Sequence, residues 1–326
     1  MKVSVLGAGA WGTVLARLLY LGKNEVTLWG HNRERLEEIR RTGRNVHYLP
    51  EISLPLDWRV ESDLDRAISG AECIVVAVPS TAFREVTNSL AHFHQVIVSV
   101  TKGIEYDTGL TMCGILRQTA EGAAAVALSG PTIAAEVARE MPSAIVAASS
   151  NPAAAQLVQQ LFHRPTFRVY TGADPHGVEL GGALKNVIAI AAGMCDGLGF
   201  GDNSKAALIT RGIVEIRRLG VACGACADTF AGLSGLGDLT VTCFSKFSRN
   251  RTLGERLGRG EKLDHILQTT KSIAEGYPTA RSAFRLARKL QASTPIIDEV
   301  FAMLYEGKDI VQALHDLTSR DSKAED

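Results

Sequence analysis

The chain opens with Val3-Ser4-Val5-Leu6, which runs straight into Gly7-Ala8-Gly9-Ala10-Trp11-Gly12 and then into an amphipathic stretch over 13–21. A strand, a Gly-x-Gly-x-x-Gly turn and a helix in that order constrain the first half to parallel βαβ units. Each glycine has its own physical task. Gly7 permits the tight bend, Gly9 lets backbone approach a pyrophosphate, and Gly12 lets the helix close on the strand. The helix start offers unpaired N–H groups and a positive dipole end to an anion. A bare glycine pattern is weak, because glycine-rich turns are common. The strand before it and the helix after it put dinucleotide binding ahead of a plain turn.

At 326 residues the chain has room for two domains, each with its own core. Lys plus Arg and Asp plus Glu balance at 35 each. That leaves no basic footprint for nucleic acid and no polybasic segment for a membrane surface. The longest apolar run, around 187–195, falls short of the about 20 residues that span a bilayer, so no membrane insertion is expected. No signal-peptide architecture precedes the first strand. Six cysteines in mostly apolar surroundings suit reduced thiols in a cytoplasmic protein. Cys223-Gly-Ala-Cys226 lacks a second pair and a nearby His, so ordinary packing outweighs a zinc or redox site. The eight histidines show no ligand spacing, and no metal is expected.

After the opening strand, short apolar runs at 25–29, 73–78, 96–100, 126–128, 144–148 and 167–170 alternate with helical stretches. Four of them end in loops: Trp29-Gly30-His31, Val78-Pro79-Ser80, Thr101-Lys102-Gly103 and Ser129-Gly130-Pro131-Thr132. In open α/β sheets ligands gather beyond the carboxyl ends of the strands, which puts these loops on the ligand side. From about Asp174 helical stretches dominate, at 177–195, 204–219, 251–257, 263–267, 279–290 and 296–305. The expected class is α/β: a Rossmann-type, mostly parallel sheet over 1–176, then an all-α domain over 177–326, with a cleft between them.

Lys185 is the leading candidate for chemistry. It stands in Gly181-Gly-Ala-Leu-Lys185-Asn186-Val-Ile-Ala-Ile-Ala-Ala-Gly193, a helix almost wholly of apolar and small residues. If that helix is central, desolvation lowers the lysine pKa toward the range useful for proton transfer. A lysine whose stem packs while its head snorkels to water is the competing reading. Asn186 can orient the lysine or bond a substrate oxygen, or simply face a neighbouring helix. Lys102 can set a second cation near a phosphate, or be a solvated loop lysine. Ser234-Gly-Leu-Gly-Asp238-Leu-Thr-Val-Thr242 reads as a glycine-rich turn ending in an acid and two hydroxyls. Asp238 there can pair with a buried lysine or cap the next element. Ser248-Arg249-Asn250-Arg251 leads into a helix, and its planar guanidinium, amide and hydroxyl suit a phosphate. An N-cap with surface arginines accounts for the same residues. A site for plain NAD usually carries an acid about 20 residues after the glycine turn. Here the second strand ends Trp29-Gly30-His31-Asn32-Arg33 with no acid before Glu34. His31 and Arg33 can face a 2′-phosphate, so NADPH is expected to be accepted and preferred, with NAD as the second coenzyme.

Taken in order, the motifs are more specific than any one of them. They are Gly-Ala-Gly-Ala-Trp-Gly-Thr at 7–13, Trp-Gly-His at 29–31, Asn45-x-x-Tyr48-Leu-Pro, Thr-Lys-Gly at 101–103 and Ser-Gly-Pro-Thr at 129–132. Gly-Ala-Leu-Lys-Asn-Val-Ile-Ala-Ile at 182–190, Gly-Leu-Gly-Asp-Leu at 235–239, Ser-Arg-Asn at 248–250 and Glu275-Gly-Tyr follow. This series resembles the bacterial type of the NAD(P)-dependent glycerol-3-phosphate dehydrogenase family, from the first strand to about residue 305. The resemblance implies reversible reduction of dihydroxyacetone phosphate to sn-glycerol 3-phosphate for phospholipid synthesis, by a homodimer. It implies Lys185 as proton donor and acceptor, with Lys102, Asp238, Ser248, Arg249 and Asn250 binding substrate or supporting that lysine. Asn186 and Thr242 are assigned to the substrate site with them, and Gly130 and Thr132 to its side. It places Ala10, Trp11, His31, Tyr48, Lys102, Ala134, Arg249, Ile273 and Glu275 at the coenzyme. Ala10 departs from the family pattern, where serine is common, so one hydroxyl contact to the pyrophosphate is lost.

Two other readings are kept. Dehydrogenases of the hydroxyacid or ketopantoate reductase type share the architecture and resemble one another in a Lys-x-x-x-Asn pair. Here Asn186 follows Lys185 directly and position 189 is Ala. A non-catalytic nucleotide sensor would need neither a lysine buried in a later helix nor a phosphate cradle after it.

Overall fold

Alternate residues of the first strand feed two different cores. Val3 and Val5 pack with Val14, Leu15 and Leu28 on one face of the sheet, while Leu6 joins Ile74, Val76, Ile97 and Phe83 on the other. A strand covered on both faces reads as continuously apolar, which is why its neighbours were legible as short runs. The computed structural model describes residues 1–270, 274–321 and 324–325. Its eight strands are β1 (Lys2–Leu6), β2 (Glu25–Trp29), β3 (Arg59–Glu61), β4 (Cys73–Val76), β5 (Val96–Ser99), β6 (Ala124–Ser129), β7 (Ser143–Ala148) and β8 (Phe167–Gly172). They form one sheet in the order β3-β2-β1-β4-β5-β6-β7-β8. The order reverses between β1 and β4, and a crevice at such a switch point is where an open α/β sheet takes its ligand.

Two details depart from the sequence reading. β3 was not foreseen: it has three residues and one apolar side chain, too little for a periodic signal, and its charges blunt a sheet edge. β6 and β7 are antiparallel, because the link between them holds only a five-residue helix, Ala134–Ala138, and turns back without a full crossover. Gly130 sits at that turn. A Cβ there would lie 3.0 Å from the Ile145 Cα.

The chain divides into two compact units, one of 1–102 with 110–179 and one of 103–109 with 180–326. The short detour 103–109, with Ile104 buried among the helices, leaves no trace in strand or helix periodicity. Among the described residues no strand follows β8, and the second unit is helical.

Its centre is the helix Pro175–Gly197, in which residues 180–192 are almost fully buried. By length and composition this helix could cross a membrane, which the sequence reading missed, but 94% of that window is buried within the fold. Glycines let its neighbours come unusually close. A Cβ on Gly193 would lie 1.9 Å from the Arg251 carbonyl oxygen, and one on Gly254 would lie 1.9 Å from that of Ile190. Gly197 and Gly258 repeat the contact one turn on. The Lys185 helix and the helix Arg249–Gly258 therefore cross backbone against backbone. Further along, Glu215 caps the helix Pro295–Tyr305, accepting from the Ile296 N–H at 2.9 Å, and burial lifts its carboxyl to about 7.

This contact yields a stability prediction. Gly254→Ala pushes the two helices apart and should destabilise the protein by about 1–3 kcal/mol, the cost of an overpacked core. Gly201→Ala, whose Cβ meets nothing within 4 Å, serves as the control. Thermal unfolding of both checks it: a fall in Tm for the first alone is expected.

Candidate active site

The glycine turn has the geometry its three glycines require. Gly7 has φ of +127°, and a Cβ on it would lie 2.5 Å from the Ala77 carbonyl oxygen. One on Gly12 would lie 1.9 Å from the Gly7 oxygen. Gly9 differs: its backbone is extended, and a Cβ on it would meet nothing within 4 Å. The helix Ala10–Leu21 starts there with no side chain capping its N-terminus and no acid in its first turn. Ala10 and Trp11 are half-buried, with Trp11 tilted against Phe167 at 6.4 Å.

Around the strand ends, His31 and Arg33 are exposed. Arg33 starts the helix Arg33–Thr42 and pairs with Glu37 at 2.9 Å, an exposed i,i+4 pair worth about 0.3–0.5 kcal/mol and easily given up. The guanidinium that meets Tyr48 is Arg35, which donates to its hydroxyl at 3.3 Å. The sequence reading had passed over Arg35. Lys102 reaches the Gly130 carbonyl at 3.5 Å, and Thr132 donates to the same oxygen at 3.2 Å. Ala134 begins the short helix just beyond. Lys102, Gly130 and Thr132 thus come together, as the loop positions implied.

In the helical unit the Lys185 head does not snorkel. The residue is 5% exposed, and its Nζ donates to Thr242 Oγ1 at 2.6 Å and lies 3.0 Å from Asp238 Oδ1. Thr242 in turn donates to Asp238 Oδ1 at 3.3 Å. The opposite charge matters, since an ammonium buried alone would cost several kcal/mol. Asp238 arrives in place through a feature read from sequence as a plain turn. Leu233–Gly237 is a π-helical turn leading into the helix Asp238–Phe244. Gly181 lets it approach, for a Cβ there would lie 2.8 Å from the Ser234 carbonyl oxygen. Asp238 pairs with the lysine, and Gly237, not Asp238, takes the N-cap position.

Asn186 and Asn250 face each other. Asn250 Nδ2 donates to Asn186 Oδ1 at 2.8 Å, and Asn250 Oδ1 accepts from the Gly276 N–H at 2.8 Å. Both are buried, so this pair locks the crossing made possible by the glycines. Ser248 caps the next helix, accepting from the Arg251 N–H at 3.2 Å. Arg251 is held by Asp196 at 2.6 Å and Glu255 at 3.1 Å. Arg249 is exposed and borders an open, largely apolar cavity of about 370 Å3 with Phe247, Thr252, Arg256, Ile266 and Tyr277. That cavity does not include Lys185. Glu275 lies at the start of the helix Gly276–Lys289, and Ile273 lies outside the described residues. Among the described residues no cluster of His, Cys, Asp and Glu could hold a metal.

Comparison with known proteins gives this geometry a family. The N-terminal profile of NAD-dependent glycerol-3-phosphate dehydrogenase matches residues 2–155, and the C-terminal profile matches residues 174–315. The chain belongs to this family. Over 330 residues it is 48% identical to a glycerol-3-phosphate dehydrogenase (NAD(P)+) of Geobacter sulfurreducens, covering 99% of this chain and 98% of that one. A relative of the same name from Chlorobium phaeobacteroides is 46% identical, covering 100% and 99%. The crystal structure of the Coxiella burnetii glycerol-3-phosphate dehydrogenase is 35% identical, with a TM-score of 0.94 over 98% of this chain and 99% of that one. The hydroxyacid and ketopantoate readings, and the sensor reading, give way to this membership.

A glycerol-3-phosphate dehydrogenase of this family uses NAD or NADP, and the turn at 7–12 fits the pyrophosphate of either. It joins an uncapped helix start to open space at Gly9, a cradle that a side chain there would enter. The same contrast separates Gly7 and Gly12, which the fold itself crowds, from Gly9, which it leaves open. Gly9→Val should leave Tm within about 2 °C of the parent while weakening NADPH at least ~10-fold, since only the cradle is obstructed. Gly7→Val should lower Tm through strain and a backbone clash. Differential scanning calorimetry with and without NADPH reads both; equal behaviour of the two variants would refute the distinction.

Proposed function

We propose that the chain interconverts dihydroxyacetone phosphate and sn-glycerol 3-phosphate, with Lys185 as proton donor in reduction and acceptor in oxidation. The observation that carries this is an ammonium buried in an apolar helix, aimed by Thr242 at 2.6 Å and by Asp238 at 3.0 Å. When bound, NADPH or NADH supplies the hydride. Lys185 passes a proton from Nζ to the C2 oxygen as that oxygen gains negative charge, and takes it back in the other direction. Asp238 and Thr242 hold the ammonium so that little reorganisation accompanies the transfer. The role of Arg249, with the Ser248-capped helix start, is to grip the substrate phosphate and fix C2 in place. Asn186 and Asn250 serve this site by bonding each other, which sets the register between the lysine helix and the phosphate-binding helix. The same reading assigns Lys102, Gly130 and Thr132 to the substrate, and Glu275 and Ala134 to the coenzyme.

The same reading takes the first compact unit as the dinucleotide domain and the helical unit as the substrate domain. It includes supply of glycerol 3-phosphate to phospholipid synthesis, a homodimer and a cytoplasmic location; free cysteines support the last, with Cys73, Cys113 and Cys243 buried. NADPH is the proposed preference. No acid follows β2 before Glu34, and that stretch and the first turn of the next helix carry His31, Arg33 and Arg35.

Two measurements test the proposal. Lys185→Ala should lose at least ~100-fold in turnover while NADPH still binds. Because Asp238 then loses its ion-pair partner, at a cost of about 3–5 kcal/mol, the double variant Lys185→Ala, Asp238→Asn keeps the assay readable if the single one unfolds. Near-parental turnover in a folded variant would remove Lys185 from the mechanism. Purified protein with dihydroxyacetone phosphate should oxidise NADPH faster than NADH. Equal rates would end the coenzyme preference alone, and no oxidation of either would end the activity.

A further inference from the structure

Asn45 lies far from the glycine turn in sequence and touches it at two points. Its Nδ2 donates to the Ala8 carbonyl at 3.0 Å and to Thr13 Oγ1 at 2.9 Å. The residue is 3% exposed and Thr13 is fully buried. A carbonyl oxygen can only accept, so the amide nitrogen must be the atom facing Ala8, and the orientation of the side chain is fixed. Its backbone oxygen also accepts from the N–H groups of Tyr48 at 3.1 Å and Leu49 at 2.7 Å.

The Ala8 carbonyl and the Gly9 N–H belong to one planar trans peptide and point in opposite directions. Holding that carbonyl on Asn45 therefore aims the Gly9 N–H away from Asn45. This peptide turns about ψ of Ala8 and φ of Gly9, and Gly9 has no Cβ to resist that rotation. The second bond, to Thr13 in the first helical turn, ties the same amide to the helix whose N–H groups complete the anion site. Thr13 N–H itself closes on the Gly9 carbonyl at 3.0 Å.

We propose that Asn45 is a positioning residue for the coenzyme pyrophosphate: it sets the direction of the Gly9 N–H and, through Tyr48, the adjacent loop. This rests on the reading that the 7–12 turn holds the pyrophosphate. The test uses the full chain and NADPH, following nucleotide fluorescence at equilibrium alongside steady-state kinetics. Asn45→Asp has the same shape but turns a carboxylate oxygen toward the Ala8 carbonyl. It should raise the NADPH Kd at least ~10-fold, with the loss falling on KM for NADPH rather than on kcat. Thr13→Val should weaken binding by a smaller factor, and Thr13→Ser should restore it. An Asn45→Asp protein that binds NADPH within about twofold of the parent overturns the proposal. So does a loss spread evenly over kcat and both KM values. If Asn45→Asp does not fold, the Thr13 pair decides in its place, and equal binding by Thr13→Val and Thr13→Ser overturns the proposal. A parent protein that binds no NADPH would instead overturn the reading beneath it.

Discussion

An ammonium held inside an apolar helix constrains everything around it. Lys185 is buried where its helix has little but Ala, Val, Ile and Leu on either side, and such a charge persists only if an opposite one is delivered to it. Delivery is what the π turn at Leu233–Gly237 accomplishes. Three small residues, Gly181, Ser234 and Gly235, let backbone come close enough for Asp238 to reach the lysine. Thr242, one turn after Asp238 on the same helix, then meets both partners. The hydroxyl and the carboxylate thus come as a pair at i and i+4, the spacing that puts two side chains on one helical face.

The second constraint is distance between backbones. Gly193 and Gly197 on the lysine helix meet Gly254 and Gly258 on the next, and each pair is spaced by four. With side chains at those positions the helices would stand apart, and the Asn186–Asn250 bond could not span the gap. A catalytic candidate at position 185 and a phosphate-binding candidate at 248–250 are therefore held in register by residues that touch no ligand. Loss of function from a change at Gly254 would come through geometry alone.

Much of this was legible in the sequence, and the limits are physical. The first strand, the glycine turn and its helix declared themselves because period and punctuation agreed. Lys185 stood out because a charge in an apolar helix is rare. In the sequence Asp238 reads as a possible partner, but its π turn reads as a plain turn, since glycines signal flexibility without saying which hydrogen bonds result. The four-residue glycine spacing was present and went unused; it was the one readable sign of the close crossing. β3, with three residues, carries no periodicity to read. Asn45 appeared only as part of a motif, because its bonds to Ala8 and Thr13 span more than thirty residues and depend on the fold. Arg33 looked better placed than Arg35 on distance from the strand, whereas helical geometry turns Arg35 toward Tyr48 and Arg33 toward Glu37.

The two halves solve different problems with different groups. The groups that the glycine turn offers to an anion are backbone N–H groups, which every residue but proline carries, so side-chain identity there matters mainly through what it excludes. That is why alanine at position 10 is compatible with such a site: it brings no hydroxyl, and the helix-start amides remain. The proposed proton transfer has no backbone substitute, and in the helical unit Lys185, Thr242 and Asp238 are particular side chains each held by another. Such an arrangement tolerates less change per residue. It also explains why the turn that announces the fold says little about the reaction, for which the proposed proton donor lies about 170 residues further on.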